Sequence, residues 1–326
     1  MARVTVCIPT YQRTRWLAET IESALGQTFS DLVVEVHDDA TPGDAVAEVV
    51  AGFDDPRLVL IRHERNAGII GNFTRSLLGA DTEYVIQLGD DDVAMPELVE
   101  KTVAALDAAP RAGFAYARIA LIDADGATLV DEWVGAPSPP LEPGQEFVEQ
   151  TTIHGIRVCS STALIRRSAV PEGGFLQADF PQFDLAFWMR MAEHWDVAFV
   201  PEMLCRYRIH DSSHTSALSD LTGNGYLQVE QTLRDVHAVK RRHAAALPPG
   251  ERRTRLERLA DRAFRRDLVG RVREQTLPER EFVATARRLG SAARREPSLL
   301  LEPTAWALLA GSVVGSRAVD RLKGRA

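Results

Sequence analysis

Tyr84-Val85-Ile86-Gln87-Leu88-Gly89-Asp90-Asp91-Asp92 is the stretch on which the fold turns. Its first five residues are mostly aromatic, β-branched or aliphatic, so they read as a short buried strand that ends in a glycine and three carboxylates. Such a strand carries the acids to one edge of a sheet, where their mutual repulsion is costly unless water or a cation compensates it. A solvated acidic turn and a divalent-metal site both fit the bare triplet. Its place at the end of an apolar strand points toward the metal.

Outward from this stretch the chain alternates. Val4 to Ile8 is a β-rich run closed by Pro9-Thr10-Tyr11, and Leu17, Ile21, Ala24 and Leu25 then fall on one helical face. A second strand, Leu32 to His37, stops at Asp38-Asp39, and Thr41-Pro42-Gly43 makes the turn. A helix (45–52), a strand (58–61) and a helix opening at Asn66-Ala-Gly-Ile-Ile-Gly-Asn72 and running to about Gly79 precede the central strand. Pro96 then opens a helix over 98–106. Strands and helices of these lengths imply right-handed βαβ units and a mostly parallel α/β sheet, Rossmann-like and flanked by helices. Ligands bind such sheets beyond the carboxyl ends of the strands. Pro9-Thr10-Tyr11, Asp38-Asp39 and Asp90-Asp91-Asp92 all lie there.

Several classes are disfavoured. No Gly-x-Gly-x-x-Gly turn follows the first strand, where Pro-Thr-Tyr-Gln-Arg stands, and no Walker loop is visible, which speaks against hydride transfer and P-loop chemistry. The 326 residues are 45% hydrophobic and 26% charged, ordinary for a globular protein. Cys7, Cys159 and Cys205 are too scattered for a disulfide framework or a zinc motif and fit a reducing compartment. The N-terminus runs straight into a strand pattern, without a visible signal peptide. The apolar stretch from Thr304 to Gly315 is too short to span a bilayer and reads as a packed helix, with shallow membrane contact as the other reading. Net charge is −8, divided unevenly: residues 1–239 carry 17 Lys+Arg against 36 Asp+Glu, and residues 240–326 carry 21 against 10. The acidic first part argues against nucleic acid as its ligand. Carboxylates beside a phosphate-sized crevice suit a nucleotide whose diphosphate is carried by Mg²⁺ or Mn²⁺, hard ions that take oxygen ligands.

With these residues in order, residues 3 to about 216 resemble the inverting glycosyltransferases of family 2 with the GT-A fold, in the branch of many bacterial sugar transferases. The resemblance rests on Ile8-Pro-Thr-Tyr-Gln-Arg13, Asp38-Asp-Ala-Thr41, Asn66-Ala-Gly68 with Asn72, Leu88-Gly-Asp-Asp-Asp92 with Met95-Pro96, and Tyr207-Arg-Ile-His210. It implies a hexosyltransferase-type enzyme of glycan or glycoconjugate biosynthesis. Such an enzyme moves a sugar from a UDP-, GDP- or dTDP-linked donor to an acceptor hydroxyl by single displacement, with Mn²⁺ or Mg²⁺ as cofactor. It further implies that Pro9, Thr10, Tyr11 and Arg13 line the nucleotide pocket together with Asn66, Gly68 and Asn72. Asp39, with Asp38 beside it, would accept from the base, and Asp90 would contact the ribose or bound waters. Asp91 would ligate the metal, with His210 at the metal or diphosphate. Asp92 would complete the metal set or support the turn. For His210, an ordinary surface or core histidine is an equal reading.

Two departures from the family pattern stand out. The first acid of Asp-x-Asp is Gly89, and the Glu-Asp pair ahead of the base helix appears as Phe183-Asp184. Asp184 aligns with the catalytic base because Phe187-Trp188-Met189-Arg190-Met191-Ala192 matches the helix that follows. A plain helix N-cap is its other reading, and Asp179 is the competing carboxylate. A sugar-nucleotide nucleotidyltransferase would need an Arg-bearing Gly-rich loop that is missing here; a degenerate sugar-nucleotide-binding module would fit Gly89 and the absent Glu.

The remainder is read more coarsely. Strands are expected at 113–122 and 128–133 with a turn at Asp123-Ala-Asp-Gly126, and residues 134–157 are Pro/Gly-punctuated, a segment that the resemblance implies shapes the acceptor cleft. Cys159 to Arg167 reads as a strand returning to the site. Trp188 either packs in the core or stacks on an acceptor sugar. The catalytic domain is expected over 1–224 and a basic α-helical C-terminal region over 225–326, with helices at 226–246, 251–274, 278–295 and 303–316. Its recurrent arginine pairs suit a solvated face, a partner surface or anionic lipid. The implied location is cytoplasmic, with peripheral contact at the inner membrane face left open.

Overall fold

The computed structural model describes residues 2–133, 138–179, 181–210, 225–276, 282–301, 305–306 and 308. By compactness the chain divides into two units, Met1–Ser219 and Asp220–Ala326.

The first unit is built on one sheet. Strands β1 (Val4–Thr10), β2 (Leu32–Asp38), β3 (Leu58–Arg62) and β4 (Tyr84–Gln87) alternate with helices α1 (Leu17–Leu25), α2 (Ala45–Ala51) and α3 (Gly68–Gly79). A two-residue strand β5 (Val93–Ala94) leads to α4 (Leu98–Ala108). Then come β6 (Ala112–Ile122), β7 (Thr128–Trp133), β8 (Leu141–Glu142), α5 (Gly144–His154), β9 (Leu164–Arg166), α6 (Phe183–Ala192) and the long β10 (Asp196–Arg208). The main sheet order is β3-β2-β1-β4-β9-β6-β10-β5, with β7 on β6 and β8 on β10. The half formed by β3, β2, β1 and β4 is parallel, and β10 runs parallel to β6, while β9 lies antiparallel between β4 and β6.

The apolar pattern explains which face is buried where. Val4, Val6 and Ile8 of β1, Val34 and Val36 of β2, and Tyr84 and Ile86 of β4 pack in one core against Leu17, Ile21 and Ala24 of α1 and Leu98, Val103 and Leu106 of α4. Each Val, Leu or Ile side chain among them contributes roughly 1.5–3 kcal/mol through burial. The alternate residues face α3 through polar contacts: Cys7 Sγ meets the Ser76 carbonyl at 3.5 Å, and Gln87 Nε2 donates to the Phe73 carbonyl. β1 is buried along its whole length, as expected of a central strand flanked on both faces.

The structure differs from the sequence expectations in two places, and it decides between the two readings of Trp188. Cys159 to Arg167 is not one strand: Ser160–Thr162 makes a single 3₁₀ turn before the three-residue β9. Thr162 Oγ1 bonds locally to the Cys159 carbonyl, which is the usual competition of Ser/Thr with a ladder. Within 134–157 lies a full helix, α5, whose buried Phe147, Val148, Thr151 and Thr152 give it an inward face. Trp188 is core: its ring meets Phe114 at 4.9 Å, and the residue is 2% exposed.

The second unit is helical, with α7 (Gly225–Ala246), α8 (Glu251–Thr276), α9 (Phe282–Arg295) and a 3₁₀ turn, Pro297–Leu301. Phe264, Leu268, Val269, Leu289, Ala292 and Leu299 form its core. His237 of α7 stacks on Phe264 of α8 at 4.5 Å, and burial pushes the Lys240 ammonium down to about 8. The helix expected over 303–316 falls mostly outside the described residues. Among the described residues no helix is long and apolar enough to cross a membrane.

Candidate active site

The carboxyl ends of β1, β2, β4 and β10 meet at one edge. Pro9 pairs with His37 inside the parallel ladder and is buried, so it is strand rather than loop. Beyond β1 and β2 the backbone is bent: Gln12 has φ +56° and Ala40 φ +62°, uncommon values for residues other than glycine. The two loops hold each other in this state. Asp39 N–H donates to the Thr10 carbonyl at 3.0 Å and Gln12 N–H to Thr41 Oγ1 at 2.9 Å. Backbone strain concentrated on two adjacent loops at a strand edge is the signature of a preorganised site. Tyr11 projects from this edge, 40% exposed.

The predicted base-side residues form a second shared structure. Both Asp39 oxygens accept from the Ala67 N–H at 2.9 and 3.0 Å, fixing the loop that opens α3, while Arg75 lies 3.5 Å from one of them. Asn66 Oδ1 accepts from Gly68 N–H at 2.8 Å, and Gly68 takes φ +72°, a conformation that favours glycine. Asp38 Oδ1 accepts from Thr41 N–H at 2.9 Å, and Arg62 stands 3.5 Å from Oδ2. Asn72, on α3, donates to the His37 carbonyl at 3.0 Å and the Thr10 carbonyl at 3.4 Å, tying the ends of β1 and β2. Its Oδ1 is buried with no hydrogen-bond partner among the described residues.

The acid triplet divides sharply. Asp90 accepts from Thr10 Oγ1 at 2.7 Å and is ion-paired to Arg13. Burial pushes its pKa up to about 6 against the opposing pull of the Arg13 guanidinium, with Asp91 adding to the rise. Asp91 Oδ2 sits 2.9 Å from His210 Nε2 and 3.2 Å from Arg13 Nη1. Asp92 turns inward. Its Oδ1 accepts from the Arg208 N–H at 2.9 Å, its Oδ2 from Ser161 Oγ, and its carbonyl from Thr20 Oγ1. Both oxygens are therefore taken, and burial first, then Asp91, holds this carboxyl well above the usual range. Of the expected metal set, Asp91 and His210 converge, whereas Asp92 occupies the turn-supporting place.

Gly89 has a steric reason. A Cβ there would lie 2.9 Å from Asp92 Oδ2 and 3.0 Å from Asp91 Oδ1, so the carboxylates themselves fill the volume of the missing side chain.

Five contributors were not singled out from sequence. Arg208 is fully buried and donates to the Asp91 carbonyl at 2.8 Å and to Glu19 at 2.6 Å, with further contacts to the Asp123 and Ala124 carbonyls. Trp16 packs against the His210 ring in a tilted contact at 4.2 Å, with the Arg208 guanidinium carbon 5.5 Å from its ring centroid. Ser161 bridges Gly89 N–H and Asp92. Glu19 and Thr20 complete the support from α1. The Tyr207–His210 and Cys159–Arg167 stretches carried the signal for Arg208 and Ser161, but only tertiary contact gives them partners.

Asp184 is set on another element, in the first turn of α6, half-buried, with Oδ1 accepting from Leu185 N–H at 2.7 Å. Burial raises its pKa against two backbone hydrogen bonds. The Cys159 thiol, pushed up chiefly by burial, feels the charges of both Asp92 and Asp184, so Asp184 lies within electrostatic reach of the surroundings of the triplet. Asp179 is in the 3₁₀ turn Gln177–Asp179 and acts on Arg190.

The donor set at Asp91 and His210, one carboxylate oxygen and one imidazole nitrogen beside the Asp90 carboxylate, suits Mn²⁺ or Mg²⁺, with Mn²⁺ the more tolerant of nitrogen.

Comparison with known proteins gives consistent results. A family model described as glycosyl transferase family 2 matches residues 5–174, just over half of the chain. An uncharacterized glycosyltransferase of Methanocaldococcus jannaschii is 24% identical over 63% of this chain and 70% of its own length. The succinoglycan biosynthesis protein ExoO of Rhizobium meliloti is 31% identical over 39% of this chain, a match that spans 36% of ExoO. Among solved structures, residues 1–349 of S. aureus TarS in complex with UDP-GlcNAc superpose with a TM-score of 0.60 at 16% identity, covering 99% of this chain and 92% of that one. The mannosyltransferase PcManGT of Pyrobaculum calidifontis, in complex with GDP-Man and Mn²⁺, gives 0.56 at 16% identity over 96% and 86%.

Proposed function

This chain belongs to glycosyl transferase family 2, and on that premise we propose that it transfers a sugar from a nucleotide-diphosphate donor to an acceptor hydroxyl by single displacement with inversion, assisted by Mn²⁺ or Mg²⁺. The observation that carries the reading is the convergence of Thr10, Arg13, Asp90, Asp91 and His210 at one sheet edge. A cation held by Asp91 and His210 would supply Lewis-acid neutralisation of the departing diphosphate.

The remaining roles are those of the chain itself. The strained loops after β1 and β2 present Tyr11 and the Asp38-Asp39 turn to the nucleotide, and the buried Asn72 Oδ1 offers an unused acceptor beside them. Arg13 holds Asp90 and Asp91 in one orientation and brings positive charge to the place where negative charge develops. Arg208 and Ser161 fix the backbone of the triplet, so Asp91 needs little reorganisation. Asp184 takes the proton from the acceptor hydroxyl as that oxygen attacks the anomeric carbon; its raised pKa brings it closer to the working range of a general base.

The test is to screen UDP-, GDP- and dTDP-sugars for thermal stabilisation that requires Mn²⁺ or Mg²⁺. The stabilising donor is then followed for nucleoside diphosphate release and for the anomeric configuration of the product by NMR. Retention of configuration overturns the single displacement. Formation of a nucleotide–sugar bond in place of diphosphate release would make the chain a nucleotidyltransferase. Metal-dependent binding without turnover toward any acceptor, water included, would make it a binding module.

A further inference from the structure

The sheet face opposite the main core carries a second group of metal-ligand side chains, separate from the donor edge. Cys7 on β1 and Glu35 on β2 are direct partners in the parallel ladder, and His37 lies two residues further along the same face of β2. One ligand atom from each of the three lies within 4.8 Å of the other two. Glu35 Oε2 and His37 Nε2 are 3.1 Å apart. Two ligands on metal arms of 2.0–2.1 Å in a tetrahedral site stand about 3.3 Å apart, so this pair is already spaced for coordination. A thiolate sulfur would stand about 3.5 Å from them, a short inward movement for Cys7.

The outer contacts have the form that such sites need. His37 Nδ1 faces His63 Nε2 at 3.4 Å, and the two rings stack at 5.6 Å. His63 Nε2 can accept from His37 Nδ1–H in the tautomer that leaves Nε2 unprotonated. If His37 Nδ1–H donates to it, the Nε2 of His37 points at a carboxylate oxygen. Nε2 and Oε2 then require a proton or a cation between them. A second ring nitrogen anchored by a hydrogen bond is how a metal-bound histidine is usually fixed. Cys7 is buried, His37 is 3% exposed and the Glu35 side chain is 19% exposed, which leaves the Glu35 side as the path to solvent and the place for a water ligand.

We propose that Cys7, Glu35 and His37 form a binding site for a borderline-soft divalent cation of the zinc class, oriented through His63. On binding, the cation takes the place of the proton between Glu35 and His37, and Cys7 binds as thiolate. Both protons pass to solvent, and no electron is transferred. The thiolate sorts this site from the donor edge, where Asp91 and His210 suit harder ions. The site clasps β1 to β2 just before Thr10 and Asp38, and it stands on its own geometry whatever the donor chemistry proves to be.

Co²⁺ is the probe, titrated into the full chain with Mg²⁺ in excess to occupy the harder site. The expected result is a thiolate-to-cobalt charge-transfer band in the near ultraviolet that saturates at one Co²⁺ per chain and is removed by stoichiometric Zn²⁺. Cys7→Ala abolishes the band, Cys159→Ala preserves it, and Glu35→Gln weakens Co²⁺ binding at least tenfold. A wild-type chain without the band at saturating Co²⁺, or a band that survives Cys7→Ala, overturns the proposal. Should Cys7→Ala fail to fold, the wild-type spectrum with Glu35→Gln decides: an unchanged affinity in that variant is equally fatal.

Discussion

Replacing Asp184 by Asn separates chemistry from architecture. Asn is isosteric, and its Oδ1 still accepts from the Leu185 N–H that Asp184 engages at 2.7 Å, so the first turn of α6 keeps its local bond. What disappears is the capacity to take a proton. General-base terms are typically worth 10²–10⁴ in rate, and a hundredfold loss corresponds to about 2.7 kcal/mol of transition-state stabilisation. Stability should move the other way. Burial raises the Asp184 pKa in the folded chain, so folding favours its protonated form. The stability from that preference is fully present below the unfolded value near 3.8 and is lost as pH rises through the raised folded value. At pH 7 the ionised carboxylate is therefore a burden that Asn removes. The expected outcome is a Tm at pH 7 equal to or above wild type, an advantage that shrinks on acidification toward pH 4, and at least a hundredfold lower kcat in a nucleoside diphosphate-release assay. The wild-type acid limb of log kcat/KM should also sit above 3.8, the ordinary carboxylate value. Turnover within a few-fold of wild type in a folded variant would refute the base assignment and move attention to Asp179. A marked fall in Tm with the activity loss would instead make Asp184 a helix-terminal residue.

The other predictions concern the donor edge. Asp91→Asn and His210→Gln should each weaken Mn²⁺ binding at least tenfold, read by the free-Mn²⁺ EPR signal in the absence of donor; full affinity in both would place the cation elsewhere. Gly89→Ala puts a Cβ against two carboxylate oxygens, one of them on the firmly held Asp92, and should cost roughly 1–3 kcal/mol as overpacking does. A denaturant melt with unchanged midpoint would contradict that. Arg208→Met removes the donors to the Asp91 carbonyl and to the half-exposed Glu19 and leaves the buried Asp91 carbonyl unmet, at a cost of about 1–3 kcal/mol. Arg208→Lys should rescue little of it, because an ammonium cannot reproduce the guanidinium fork. Equal Tm for the Lys variant and wild type would show that charge alone suffices.

Local chemistry decided the first half of this molecule. Alternating apolar runs and helical faces over 4–106 specify βαβ units, because a period of two or of 3.6 fixes which side chains can reach a core. Strand ends marked by Pro9-Thr10, Asp38-Asp39 and Asp90-Asp91-Asp92 then place polar groups on one edge. The second half was less legible. α5 sits in a stretch punctuated by Pro and Gly, and its inward face is half Thr, which reads as polar until α6 and β10 cover it. The strand expected over 159–167 breaks at Ser160–Thr162 because hydroxyls and backbone compete for the same bonds.

From sequence alone the chain determined its sheet, its topology on the donor side and the identity of its acids, since periodicity and strand-end composition are local properties. Tertiary structure decided how those acids differ. Three adjacent carboxylates with identical chemistry became a His210-facing Asp91, an Arg13-paired Asp90 and an inward Asp92, because Arg208, Ser161, Thr20 and His210 arrive from distant segments. A carboxylate takes its role from the charges and hydrogen-bond donors around it, and those are set by chain crossings that no spacing along the sequence records.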